Sequence, residues 1–450
     1  MIDTLATRMD DFTFSVLVLG VAAAGLLLFL LFYRIPRSVL VVYLLVFPVQ
    51  WLYIPVGTFN LRGDDGIAVI GTVALLLRFG VRPFFQRSPA FARLMGVLFV
   101  LQAYRYVSLG QSLVAGGVNW YETLQGVHSL CQLYIFVTIV RTEDDLAWLS
   151  RWYYLIVLGL VLVSLPALQA NPFAEDVNRY ALKRALVEGQ GGRFNPTTYG
   201  IMASLILMMG YFQVYRYGRA WYIPGMVVAL GVLAYFFFRT PLYVSLMVIG
   251  FCVATDAAER PIQTTLLLGL MGLIVLVTAS DRFAQYYTNY VTNLNPTDIG
   301  LRREAAQLGL TIFKENVLLG VGLGRSHAMV VLRSEGALGS IHNSYLYSLA
   351  EHGLVGSFML LILFGGMLKR FGEWMFAERA GRFWFAFFIA FLIRINFGPD
   401  LWLSKFTMQH FAIACAALGV YLDRTAAARV PKPATRGERG RAPGQTFETT

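Results

Sequence analysis

One histidine and a set of arginines are the residues best suited to chemistry in this chain. His342 lies in SIHNSYLYSLAEHGLVG, where a long polar segment meets an apolar run. An imidazole there can take a proton from a hydroxyl near neutral pH without a metal. Its neighbour Asn343 can orient a polar group or cap the helix that follows. Arg239 sits in FFFRTP, a tight connection between two apolar runs, and a charge at the edge of a span is costly and marks function. Arg179, Lys183, Arg184 and Arg193 lie in one polar segment, and Arg282, Arg302, Arg303, Lys314, Arg325 and Arg333 in another. The planar guanidinium fork binds phosphate bidentately and stays charged, so the pattern suits holding a multiply charged anion while a hydroxyl is activated. Arg179, Lys183, Arg184, Arg282 and Arg333 are read instead as snorkelling to lipid phosphates or pairing with Glu175, Asp176, Glu188 or Glu304.

The elements that must position these residues are membrane spans. The chain has 450 residues, 57% hydrophobic and 14% charged, against about 45–50% and about 25% in soluble chains. The 34 Phe, 23 Tyr and 8 Trp exclude a disordered chain. Runs of roughly 17–25 apolar residues predict spans at 13–33, 38–56, 64–80, 91–109, 123–141, 150–169, 196–215, 220–238, 240–256, 262–280, 344–368, 381–397 and 404–422. The expectation is an all-α polytopic membrane protein with about 12–13 transmembrane helices. One domain, 1–422, is followed by a disordered basic tail, 423–450. The net acidic start, Met1–Phe12, does not resemble a cleaved secretory signal, so the first span is read as retained.

Charge sorts the loops. Arg34, Arg37, Arg78, Arg82, Arg87, Arg93, Arg141, Arg151, Arg216, Arg219, Arg260, Lys369, Arg370, Arg379, Arg382 and the tail cations fall on one side of that span list, the cytoplasmic side by the positive-inside rule. The net charge of +11 is accounted for in that way and does not call for nucleic acid. Two long loops, 170–195 and 281–343, then face outward, and long loops are often functional. In the second, Leu301, Ala305, Leu308 and Ile312 recur at helical spacing, predicting an amphipathic helix at the membrane surface. Asn316 and the run Gly320–Gly324 end it.

Other residues take plainer readings. His327 is assigned to solvent, His352 to internal packing, and His128 and His410 to span interiors. Asp64 and Asp65, outward at the start of the third span, are read as a helix start with favourable dipole placement; a catalytic acid is the rival. Glu351 is assigned a structural hydrogen bond. Cys131, Cys252 and Cys415 form no C-x-x-C pair and read as small packing residues.

Four segments resemble the O-antigen ligase and O-antigen polymerase superfamily. GRFNPTTYG (192–200) resembles its Gly/Asn/Pro segment. FRTPLYVSL resembles its Ser-Arg-Gly segment, with Arg239 on the arginine, Phe238 for the Ser and Thr240 for the Gly. LRREAAQLGLTIFKENVLLGVGLG (301–324) is similar to its Gly-Arg helix and Pro-Leu-Leu-Gly-Val-Gly, with Arg302 on the arginine, Leu301 for the Gly and Val317 for the Pro. HNSYLYSLAEHGLVG is similar to its His-Asn-x-x-Leu…Glu-x-Gly-x-x-Gly, with His342, Asn343, Leu346, Glu351, Gly353 and Gly356 in place.

The resemblance implies a GT-C-like enzyme in the bacterial inner membrane. It would move a glycan from an undecaprenyl-diphosphate carrier to an acceptor hydroxyl on the periplasmic face. Arg239 and Arg302, joined by Arg193, bind the diphosphate; His342 activates the acceptor; Asn343, Arg303, Arg325 and Tyr345 contact substrate. Attack opposite the leaving group predicts inversion. No D-x-D pair or His/carboxylate cluster appears in the outward loops, so neither metal nor other cofactor is expected. Polymerisation of O-antigen or exopolysaccharide repeat units is the expectation, with a chain-length regulator as a possible partner. Alternatives are a ligase acting on lipid A–core, a cell-wall glycan polymerase and, from another class, a lipid-linked oligosaccharide transporter or flippase.

Overall fold

The computed structural model describes residues 11–47, 53–56, 59–116, 120–164, 196–235, 239–256, 296–336, 343–396 and 405–429, with isolated positions 269, 272, 338 and 341. The described residues are overwhelmingly helical: α1 (Asp11–Arg34), α2 (Pro36–Val46), α3 (Gly63–Phe79), α4 (Arg82–Phe85), α5 (Pro89–Ala115), α6 (Trp120–Ile139), α7 (Glu143–Ser164), α8 (Pro196–Tyr217), α9 (Ile223–Tyr235), α10 (Arg239–Asp256), α11 (Pro296–Glu315), α12 (Arg325–Arg333), α13 (Ser344–Ala377), α14 (Arg379–Ile395) and α15 (Lys405–Arg429). Proline sets several of the starts. Pro36, Pro83 and Pro89 occupy the first turns of α2, α4 and α5, where the missing N–H leaves no bond unmade and φ is already helical.

Among the described residues, three helices are long and apolar enough to cross a membrane: Glu143–Leu162, Ser344–Ala377 and Thr407–Arg429. Leu27, Leu77, Val107, Phe358 and Leu361 are exposed on helix faces whose other sides are packed. An apolar surface of that extent is a liability in water and is matched by acyl chains.

Ion pairs gather one set of helix ends. Arg37 of α2 pairs with Asp145 of α7. Arg87 Nε, before α5, lies 2.7 Å from Asp423 of α15, whose other oxygen accepts from Ser88 N at 2.8 Å. Arg216 of α8 reaches Glu143 at 3.6 Å. Arg379 and Arg382 of α14 both lie 2.6 Å from Asp256 at the end of α10. Arg424 of α15 pairs with Glu143 and with Glu378. These loops are among those the charge pattern assigned to one side, and they meet at one end of the bundle. The start of α3 and of α15, and the α13 start with the α14 end, meet at the other, through Lys405 with Asp64 and through Asn343 with Asn396.

Several expectations change in detail. Within the expected span 38–56, α2 stops at Val46 and an antiparallel hairpin follows, β1 (Tyr53–Val56) with β2 (Phe59–Arg62), so the chain is not purely α. Pro48 opposes continuation of the helix, and Val56 pairs with Phe59 around a two-residue connection. The tail expected to be disordered from 423 is helical to Arg429. Asp423 and Arg424 are tied to other helices there, and the Ala-rich run that follows favours helix. The helix expected at the membrane surface exists as α11. Its apolar face, however, is buried within the protein, with Ala305 and Ile312 among the buried residues and Leu308 packed against them. Gly309 on that face admits the side chain of Ile341, which would press on any Cβ there at 3.1 Å.

Helix α13 is broken at Gly353, where φ is 61° and ψ −161°. The break separates a nine-residue arm, 344–352, from a 24-residue helix, 354–377. The latter rises about 36 Å, enough to span the hydrocarbon core.

Candidate functional site

His342 and Arg193 lie outside the described residues, as do Arg179, Lys183, Arg184 and Arg282. Arg239 opens α10 and Arg302 lies in the first turns of α11; their side chains are outside the described set. Spacing puts position 302 on the α11 stripe of Ala305, Gly309 and Ile312. That stripe packs on Ile341, the residue before His342. Asn343 is the N-cap of α13: its Oδ1 accepts from Tyr345 N and Leu346 N, both at 3.0 Å. Its Nδ2 donates to Asn396 Oδ1 at 2.7 Å, tying the arm to α14. Tyr345 donates from its hydroxyl to Leu392 O at 3.0 Å. Arg303 is exposed and Arg325 half-buried; neither makes an ion pair among the described residues.

The arm is held by a clamp that explains the glycines of the signature. After α11, residues 317–322 run beside the α13 break. Leu354 N donates to Val317 O at 2.8 Å and Val355 N to Leu318 O at 3.2 Å, while Val321 N and Gly322 N donate to Ala350 O and Glu351 O, each at 3.0 Å. Gly353 has a backbone conformation almost confined to glycine, and a Cβ there would overlap the Leu318 carbonyl and Gly320 N. A Cβ on Gly322 would meet Ser108 O at 2.6 Å. Glu351 locks the turn: Oε1 accepts from Gly324 N at 2.6 Å, Tyr347 Oη at 3.2 Å and Ser326 Oγ at 3.4 Å. His352 Nε2 lies 3.3 Å from Glu351 Oε2 and accepts from Arg105 Nε at 3.0 Å. Arg105 thereby brings a positive charge to the buried carboxylate. Tyr104 of α5 directs its hydroxyl at Leu319 O and His352 O, both 3.0 Å away. Glu351 and His352 are thus structural, and what they position is the arm that begins beside His342.

A second group of charges lies at the same end. Asp65 accepts from Arg62 N at 3.0 Å, satisfying a backbone donor at the start of α3, so the helix-start reading holds in part. Both carboxylates also meet Lys405 of α15, Nζ lying 2.8 Å from Asp64 Oδ2 and 2.6 Å from Asp65 Oδ1. His128 of α6 brings Nδ1 to 2.7 Å from Asp65 Oδ1, and Tyr43 of α2 lies 2.9 Å from its Nε2. Asp64, Asp65 and His128 form the type of donor set a divalent ion accepts. Here the Lys405 ammonium stands between the carboxylates, and the network joins α2, α3, α6 and α15.

Sequence reasoning missed three cations: Arg105, Arg394 and Lys405. Each interrupts or begins an apolar run, in LQAYRYV, FLIRINF and LSKFTM. An ionisable residue inside a span is itself the signal that marks it. His410 donates to Phe387 O at 3.0 Å through Nε2, as expected of a structural residue. Cys252 and Cys415 are buried and Cys131 half-buried, all free thiols. Comparison of the chain with protein-family models and with curated proteins finds no match.

Proposed function

We propose that this chain is a membrane glycosyltransferase of the bacterial inner membrane, with about 12–13 spans and its site facing the periplasm. It uses an undecaprenyl-diphosphate-linked glycan as donor and polymerises O-antigen or exopolysaccharide repeat units. The observation that carries this reading is the clamp. It fixes the α13 arm, whose start adjoins His342, and Ile341 of the same segment packs on the α11 stripe that includes position 302. A base for a hydroxyl and a cation for a leaving phosphate are thereby supported by one rigid assembly. The arginine-rich end of the bundle lies opposite, the arrangement expected if that end is cytoplasmic.

In the proposed reaction His342 takes the proton of an acceptor sugar hydroxyl as its oxygen attacks the anomeric carbon. The bond from that carbon to the diphosphate breaks with inversion, and undecaprenyl diphosphate leaves with the electron pair. Charge grows on the leaving oxygen, so guanidinium groups at Arg239, Arg302 and Arg193 stabilise the transition state more than the ground state. No metal is assigned to the step. Replacing His342 by Ala removes the base, with an expected loss of about 10²–10⁴-fold in transfer and retained donor binding; unchanged transfer by purified H342A refutes the assignment. Replacing Arg239 or Arg302 by Ala weakens binding of the carrier diphosphate.

Two other readings stay in play. A ligase would give one capped product only when lipid A–core is supplied, whereas a polymerase gives a ladder from the lipid-linked repeat unit alone. A transporter of lipid-linked oligosaccharide is favoured by the buried Asp64–Asp65–Lys405–His128 network; it would move donor across a liposome bilayer without forming any glycosidic bond.

A further inference from the structure

Arg394 in the last turn of α14 is 7% exposed, and its Nη2 is fully buried with no hydrogen-bond partner. No carboxylate pairs with it among the described residues. This sets it apart from Arg87, Arg379 and Arg382, each of which has an aspartate within 2.7 Å, and from Lys405, which has two within 2.8 Å. Its helical stripe continues Phe387 and Phe391, whose rings pack on His410 of α15. Among the described residues, Tyr153 of α7 and His410 are titratable side chains near enough to interact with it. Tyr153 donates to Gln409 Oε1 at 2.8 Å, while Gln409 Nε2 is buried without an acceptor. Among the described residues the surroundings therefore hold unmet donors and a cation, and no anion. The negative end of the α14 dipole favours a cation there, yet a dipole end does not replace a counter-ion for a buried charge.

The position in the bundle gives the missing anion a source. α10 packs along α14, and Asp256 with Arg382 fixes their common end. From that pair, position 239 lies about 25 Å along α10 and position 394 about 18 Å along α14, at 1.5 Å per residue. The two positions thus lie within about two turns of one level. Asn396, two residues beyond Arg394, is the partner of Asn343 at the start of the α13 arm.

We infer that Arg394 is an anion-binding residue whose counter-ion is a phosphate group of the bound substrate, taken at the end of the bundle that carries the α13 arm. The inference rests on the proposed donor reading only for the source of that phosphate, a lipid diphosphate rather than a free one. The chemistry is a guanidinium, supported by the Gln409 amide, donating to phosphate oxygens that no protein carboxylate competes for.

The test uses the full chain in phosphatidylcholine nanodiscs, as wild type, R394M and R394K, with undecaprenyl diphosphate and inorganic pyrophosphate as separate probes. Without ligand, R394M should unfold at or above the wild-type temperature, because Met removes a buried charge that has no partner. Its Kd for undecaprenyl diphosphate should rise about 30-fold or more, with R394K in between. An R394M protein that fails to fold, or unfolds well below wild type when empty, assigns the guanidinium to the fold and overturns the inference. Equal affinity of wild type and R394M also overturns it, while leaving the donor reading intact if R239Q weakens binding. Arg394-dependent binding of pyrophosphate alone keeps the anion site and removes the lipid-linked donor. Binding of neither probe by wild type removes both.

Discussion

Replacing Gly353 by Ala tests whether the clamp positions the α13 arm. Gly353 has φ 61° and ψ −161°, a region that costs a side-chain-bearing residue about 1–3 kcal/mol. The added methyl also overlaps the Leu318 carbonyl, so the strands of the clamp must part. Leu354 N to Val317 O and Val355 N to Leu318 O are the bonds first lost, at about 1 kcal/mol each. The sum, about 3–5 kcal/mol, is confined to the junction of the loop with α13. Hydrogen exchange reads it directly: protection of the Val321, Gly322, Leu354 and Val355 amides should fall at least about 10²-fold. Exchange in α6 and α15 should barely change. Transfer should fall with it, because the arm beginning at Ser344 loses its anchor. Gly110→Ala is the control, since nothing lies within 4 Å of a Cβ at that position. Wild-type protection in G353A would refute the clamp as an energetic unit, and loss of protection with full transfer would refute its link to catalysis.

Lys405→Met strands the buried Asp64 and half-buried Asp65 carboxylates and should destabilise the protein by about 3–5 kcal/mol, seen as a lower unfolding temperature in detergent. Adding Asp64→Asn and Asp65→Asn should recover most of that loss; a K405M protein as stable as wild type would show that the network contributes nothing to the fold. His327 on α12 is half-buried, and burial holds its imidazole below the ordinary histidine range. The unfolded chain then binds the proton first on acidification, so this residue opposes folding as pH falls below about 6.5 and contributes nothing above it. His327→Gln should therefore flatten the pH dependence of unfolding temperature between about pH 5 and 6.5, and an unchanged profile would assign that dependence elsewhere.

The helical architecture was legible because apolar runs of span length leave few alternatives, and the cation pattern picked out loops that meet at one end of the bundle. Boundaries were legible less often. The expected span 38–56 hid the first hairpin strand because Tyr53–Val56 continues the apolar run of the helix before it; Pro48, Pro55 and Gly57 mark the change, and the second strand, Phe59–Arg62, lies beyond the span. The helix α11 was visible in its spacing, but not its partner. Periodicity identifies an apolar face without saying what covers it, and the glycine in that face was the available hint that another segment, Ile341, comes close. The Glu351 to Gly353 signature was visible as a motif, whereas its cause, the pairing of Leu354 and Val355 with Val317 and Leu318, joins residues 37 apart in sequence and has no local signal.

The distribution of carboxylates gives the candidate site its physical logic. At the arginine-rich end Asp145, Asp256, Asp423 and Glu143 each answer a cation, and these pairs pin helix ends together. At the opposite end Lys405 has two carboxylates and Arg333 has Glu315, while Arg303, Arg325 and Arg394 have none among the described residues. Burial makes Arg394 the decisive member of that set. An exposed arginine is compensated by water and salt at little cost, but a guanidinium 7% exposed has neither. Its retention therefore costs stability in the empty protein, and a cost of that kind is recovered only in a state where an anion is present. Under the proposed function, the diphosphate leaving group of the donor would supply that anion at the end of the bundle where the α13 arm begins. Stability of the empty protein and affinity for phosphate should then move in opposite directions when Arg394 is removed, which a purely structural arginine cannot do.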